Sequence, residues 1–225
     1  MDLIVKNATV VTAADVIEDC AIGVKDGVVV WIVNSAHSEA LSHGCTNIVD
    51  AAGGFVTPGA IDAHTHIEQE KGIGAHAASR SADDWDTATA SALAGGTTTV
   101  VAFAVQTRDC GILEAIDEYR VLAEQKARSD FSMHCIVTDT SSDQLGHELA
   151  TAIRDRGVSS VKLYMTYDAL KLSDRQVLKI LHHARTLGIT TMVRVHAPRQ
   201  QSHSLTFSSR CTPRTTTAST ISQRT

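Results

Sequence analysis

The feature that most constrains this chain is a repeated order of local patterns: an amphipathic helix runs to a glycine and then into a β-branched strand. "SADDWDTATASALAGG" leads into "TTTVVAFAV", "DQLGHELATAIRDRG" into "VSSVKLYMTY", and "SDRQVLKILHHARTLG" into "ITTMVRVHA". Each helix opens on Ser or Asp, whose short side chains satisfy the free amides of a first turn. Each stops at Gly95, Gly157 or Gly188, the residue type that ends helices at least steric cost. A further unit, "GILEAIDEYRVLAEQKARS" followed by "FSMHCIVT", lies between the first two. With a strand over 56–67, the pattern predicts five strands and four helices in βα order.

Strict alternation of this kind implies a parallel sheet with right-handed crossovers, either open and doubly wound or closed as a barrel. His64, His66, Gln106, Lys162 and His196 all fall at or near the C-terminal ends of predicted strands. A site assembled from several strand ends is the barrel's arrangement, whereas an open sheet concentrates its site at one switch point. The expectation is an α/β chain forming a partial TIM-type (β/α)8 barrel of about five strands. "GGTTT" follows a helix and opens a strand, the reverse of the dinucleotide fingerprint order.

Ahead of this region, "LIVKNATVV", "AIGVKDGVVVWIV" and "NIVDAAGGFV" are short apolar runs separated by Gly, Asp and Asn turn signals, and they read as a small antiparallel β unit. The expected organisation is a β-sandwich portion over 1–55, a partial barrel over 56–197 and a tail over 198–225. A hydrophobic content of 43% in 225 residues can fill a core. A net charge of −5 with only 4% aromatic residues offers neither a basic footprint nor stacking platforms, so nucleic acid is not expected as a partner. The start lacks a basic and apolar leader, and no stretch approaches the roughly 20 apolar residues of a membrane span, so the chain reads as soluble and cytoplasmic. Five cysteines, odd in number and without a CxxC pair, argue against a disulfide framework or a thiolate zinc site.

The chemistry concentrates in "AIDAHTHIEQ". Positions i and i+2 of a strand share a face, so His64 and His66 present two imidazoles side by side, as one metal ion would require; capping a strand end is the alternative. Asp62 shares that face and can serve as a supporting partner of a ligand or as a turn residue. Lys162 interrupts the apolar "SSVKLYMTY". It either snorkels to solvent or carries a carbamate formed with carbon dioxide, an anion whose two oxygens can bridge two metal ions. His196 ends the next predicted strand. His134, His182 and His183 read as packing or surface residues, and Asp83 and Asp84 as favouring a helix N-terminus.

The succession "GGFVTPGAIDAHTHIEQ", "LAGGTTTVVAFA", "KLYMTY" and "VHA" resembles the cyclic amidohydrolases, and within them the dihydropyrimidinase and hydantoinase branch, over residues 1 to about 197. The resemblance implies that His64, His66 and Lys162 bind a first divalent metal ion, and that Lys162 as carbamate and His196 bind a second, with zinc the implied metal. It implies that Tyr167 hydrogen-bonds the substrate and the transition-state oxyanion. The implied reaction opens a dihydropyrimidine or hydantoin ring to an N-carbamoyl amino acid, commonly in a homo-oligomer. Dihydroorotases and allantoinases are the alternatives within the family, but they typically follow the histidine pair with an arginine-containing stretch. Here Ile67, Glu68 and Gln69 stand there, which favours a neutral cyclic ureide or imide.

After His196 the resemblance stops. Residues 198–225 hold 13 Ser or Thr among 28, four Arg and no acidic residue, without hydrophobic period, so this tail is expected to be disordered. The shift resembles a change of reading frame or a retained intron, leaving the later barrel strands and their metal-binding His and Asp unsupplied. A non-catalytic fragment, or a subunit that binds full-length homologues, is therefore the reading set against the hydrolase.

Overall fold

The computed structural model describes residues 1–69, 81–107, 110–168, 170–195 and, as backbone, 204–207. The chain divides into two compact units, Met1–Gly59 and Ala60–Thr225.

The first unit is one mixed sheet. Strands β1 (Leu3–Val11), β2 (Val16–Lys25) and β3 (Val28–Asn34) form an antiparallel meander. A one-turn helix, α1 (Ser38–Leu41), follows, and then β4 (Ile48–Asp50) and β5 (Phe55–Val56) pair with β1 in parallel, not antiparallel as expected. The reason is the link through α1, which is longer than a hairpin and lets the chain re-enter in the direction of β1. Ala8, Val10, Cys20 and Ile22 form its small core.

The second unit is the expected alternation. Strand β6 (Ala60–Thr65), helix α2 (Trp85–Ala94), β7 (Thr97–Val105), α3 (Ile112–Lys126), β8 (Asp130–Ile136), α4 (Leu145–Arg156), β9 (Ser160–Tyr164), α5 (Asp174–Leu187) and β10 (Thr190–Arg194) follow one another. The five strands are parallel and neighbours in sequence order, curled into a half-barrel. Asp84 and Ser173 close capping boxes with Thr87 and Gln176. Gly157 and Gly188 end their helices at φ of 70° and 72°, conformations that would strain any residue with a Cβ. On the first helix the left-handed position falls one residue later than expected, on Gly96. Gly146 lets α4 approach α5, since a Cβ there would lie 2.8 Å from the His183 ring.

Ser204–Phe207, expected to be disordered, forms β11, antiparallel to β10 with Leu205 opposite Val193. Strand β10 would otherwise leave its outer row of amides and carbonyls unpaired, and the alternation of Leu205 and Phe207 with Ser and Thr suits an added edge strand. The rest of 198–225 lies outside the described residues.

Residues alternate between the two faces of the sheet. Val100, Ala102, Ala104, Met133, Cys135, Val161, Leu163 and Val193 point outward into the core that the helices complete with Trp85, Ile116, Leu149 and Ile180. Phe103, His134, Ile136, Ser160, Lys162, Tyr164, Met192 and Arg194 form the inner face, in rows set by the pairings Phe103–His134, Ile136–Lys162 and Lys162–Met192. Among the described residues no helix is long and apolar enough to cross a membrane.

Candidate functional site

Phe103 lies at the centre of the inner face, fully buried. Around its ring stand His64 at 4.6 Å, edge-on, His66 at 4.8 Å, stacked, and His134 at 4.8 Å. The Lys162 ammonium sits 4.2 Å from the same ring centroid. The ring's negative face is a favourable neighbour for that cation, and its bulk fixes where the two imidazoles can rest. The rings of His64 and His66 are 5.7 Å apart.

The side chains of His64 and Lys162, 98 residues apart in sequence, meet: Nζ lies 3.2 Å from Nε2. Lys162 is only 3% exposed. Burial, and then the neighbouring charge of Arg194, push its amine down to about 8. Partial desolvation against Phe103, followed by the charge of Lys162, lowers both histidines, His66 to about 4, although both side chains still face solvent. The imidazoles are thus neutral near pH 7, the form that ligates metals. His66 Nδ1 lies 3.3 Å from Gln69 Oε1, and Gln69 Nε2 donates to the Phe103 carbonyl at 2.9 Å, which orients the ring from behind. Asp62 accepts from the His64 backbone amide at 3.1 Å, so in this geometry it steadies the histidine's backbone and does not reach its ring.

Tyr167 lies in the turn after β9 at a φ of 64°, one ring removed from the lysine: its ring is 5.8 Å from Tyr164, whose own ring is 5.4 Å from Lys162 Nζ. Arg194 covers it at 5.5 Å. His196 lies outside the described residues. Gln106, expected with the site from its place at a strand end, is instead a loop clamp whose Oε1 accepts from the amides of Thr138 and Asp139 at 3.0 and 3.1 Å.

Among the described residues no group of three or more His, Cys, Asp and Glu side chains is placed to hold a metal ion. The donors that do converge are two imidazoles and a lysine. As a free ammonium beside Arg194, Lys162 would repel a dication. As a carbamate it becomes an anionic oxygen donor, and a dry amine with a lowered pKa is the form that can react with carbon dioxide. The donor set therefore fits a divalent metal ion once the lysine is carbamylated.

Residues 55–207 match the family described as the Amidohydrolase family. The chain belongs to that family. The chain is 37% identical over 198 residues to the D-hydantoinase of Ralstonia pickettii, covering 88% of this chain and 40% of that one. It is 36% identical over 151 residues to the dihydropyrimidinase of Rattus norvegicus, covering 67% and 28% respectively. The crystal structure of dihydropyrimidinase from Brevibacillus agri aligns with a TM-score of 0.77 at 30% identity, over 86% of this chain and 40% of that one. The chain thus spans about 40% of the length of the hydantoinases it matches.

Two residues central to this face are not marked by the sequence. Phe103 is one apolar residue in "TTTVVAFAV", and alternation alone does not tell which face of a strand buried on both sides is the inner one. Arg194 could have been found: it stands two residues before His196 in an apolar strand, the same anomaly that marked Lys162.

Proposed function

We propose that this amidohydrolase chain carries the metal-binding half of a hydrolase that opens neutral cyclic ureides or imides, of the dihydropyrimidine or hydantoin kind, to N-carbamoyl amino acids. The observation that carries the reading is the approach of His64 Nε2 to the buried Lys162 Nζ over the Phe103 ring. His64, His66 and Lys162 as carbamate would hold one divalent ion, and Lys162 with His196 a second, zinc being the choice that suits imidazole and oxygen donors. When bound, the ions supply Lewis acidity at the ring carbonyl and a water acidified to near neutrality.

The chain's own residues do the rest. His64 and His66 offer lone pairs without competition from protons, because partial desolvation and the charge of Lys162 hold them neutral. Phe103 closes the floor against solvent, which strengthens every charge interaction above it. Tyr167 donates its hydroxyl to the carbonyl oxygen as negative charge grows there, and Arg194, stacked on that ring, adds positive charge beside it. Across the reaction water adds to the carbonyl carbon, the ring C–N bond breaks, and the leaving nitrogen takes a proton.

The test is ring opening of dihydrouracil and of hydantoin with zinc and bicarbonate, by the 225-residue chain and by a chimaera carrying the remaining length of the Brevibacillus agri enzyme. Turnover of one ring class by the chimaera supports the assignment, and turnover of neither by either protein sinks it. A second reading, a non-catalytic chain that pairs with a longer homologue, is favoured by β6, which among the described strands is an unpaired sheet edge with Ile61 66% exposed. Two tightly held zinc ions per chain in a monomer would rule that out.

A further inference from the structure

Strand β6 carries His64 and ends one residue before His66, yet the ladder that should hold it lapses where the pair begins. Its pairing with β7 runs through Asp62–Val100 and resumes at Thr65–Ala102, with a register shift between, so Ala63 and His64 fall in the gap. Among the described strands it is also the edge of its sheet. A histidine on an unladdered edge is poorly fixed unless something else ties it down. The His64 amide is taken by Asp62. The Ala63 carbonyl is taken by a side chain from two strands away: His134 Nε2 lies 2.9 Å from it.

The other nitrogen of the same ring, Nδ1, is hydrogen-bonded to Ser160 Oγ. Ser160 lies two residues before Lys162, on the same face of β9. A carbonyl can only accept, so Nε2 carries the proton; a neutral imidazole then has a bare Nδ1, and the Ser160 hydroxyl must donate to it. Strands β6 and β9 are not neighbours, since β7 and β8 stand between them, and no backbone ladder joins the two. The Ser160–His134–Ala63 chain spans that distance, from the residue just before His64 to the strand position just before Lys162 on its face.

We propose that His134, assisted by Ser160, is a positioning residue that sets the distance between His64 on β6 and Lys162 on β9. This rests on the metal-centre reading above. His134 does not need to touch metal or substrate; it replaces the missing rungs of the ladder with one side-chain strap, and the Phe103 ring against which it packs keeps that strap in line with both histidines. Removing a partner that orients a ligand costs about 10–100-fold in metal affinity.

The experiment uses the full chain in bicarbonate, with zinc affinity measured by chelator competition and, in metal-free protein, amide hydrogen exchange across β6. His134→Phe keeps a ring against Phe103 but deletes both hydrogen bonds; about a 10-fold or greater loss of zinc affinity and faster exchange at residues 63–65 are expected. His134→Gln, whose amide nitrogen reaches the position of Nε2, should restore most of both. Ser160→Ala, a smaller change that guards against misfolding of the first variant, should give a partial loss of the same kind. A residue that only packs would lower the melting temperature while leaving zinc affinity per folded chain unchanged, and that result in His134→Phe and Ser160→Ala would overturn the strap. Failure of the unaltered chain to bind zinc would instead overturn the metal-centre reading, and the exchange data would still decide whether the strap holds β6.

Discussion

On β9, Val161 and Leu163 point outward into the helix-packed core, while Ser160, Lys162 and Tyr164 point inward and carry a hydroxyl, an amine and a phenol. All five are buried, yet only the outward pair is buried at no polar cost. The outward row gains transfer free energy from every methylene it hides, roughly 25 cal/mol per Å². The inward row must place its polar atoms against Phe103, His64 and His134 and still carries a lysine whose charge is poorly solvated. A strand can therefore stabilise the fold on one face and lose stability on the other, and the two faces should separate under mutation.

The largest test is on the outer face. Leu163→Ala should cost about 2–5 kcal/mol in denaturant unfolding, because it removes a fully buried side chain from the main core, while zinc bound per folded chain stays unchanged. Loss of zinc binding by folded protein would show that the faces are not separable. The opposite sign is expected one residue earlier. Burial pushes the Lys162 amine down to about 8 in the fold from 10.5 for a free lysine, so below pH 8 the buried charge costs about 3 kcal/mol. Between pH 8 and 10.5 the unfolded chain binds the proton that the folded chain has released, so stability rises with pH across that window and the cost is gone above it. Lys162→Met in metal-free, carbonate-free protein should therefore be more stable than the parent at pH 7, with the gap closing as pH passes 10, and should no longer bind zinc. A destabilised Lys162→Met protein would mean that the inner face is held by its lysine.

Phe103→Leu sharpens the comparison from beneath the site. It should remove about 1 kcal/mol of ring contacts and weaken zinc binding, with the helix-packed face undisturbed, as measured by unfolding and metal titration on the same preparation. The smallest effect belongs to neither face. Asp117 on α3 binds Arg156 on α4, and both are partly exposed, so Asp117→Asn should change stability by less than about 1 kcal/mol and progressively less in high salt. Hydrogen bonding to Arg156 holds the Asp117 carboxyl below its ordinary value, so this contribution is present above the unfolded pKa and is lost as pH falls through the folded one, a difference that urea titrations at pH 7 and pH 3 would detect.

The sequence made the alternation legible because Gly157 and Gly188 are required by left-handed helix ends, and because Thr and Val cluster where strands follow. Lys162 was legible as a charge with no place in an apolar run. The parallel return of β4 and β5 was not, since apolar runs carry no sign of direction, and β11 was hidden by a composition that reads as solvated chain. His134 resembled packing because its partners are a backbone carbonyl and a serine 26 residues away, which spacing along one strand does not reveal.

The φ of 64° at Tyr167 has a bearing on directed evolution of this chain. A residue with a Cβ in that conformation carries about 1 kcal/mol or more of backbone strain, and glycine would release it. A library at this position sorted for heat resistance alone should drift to glycine or asparagine, whereas one sorted for turnover should hold the aromatic ring. The residue that wins under each regime would report whether the ring is present for the fold or for the chemistry above Lys162.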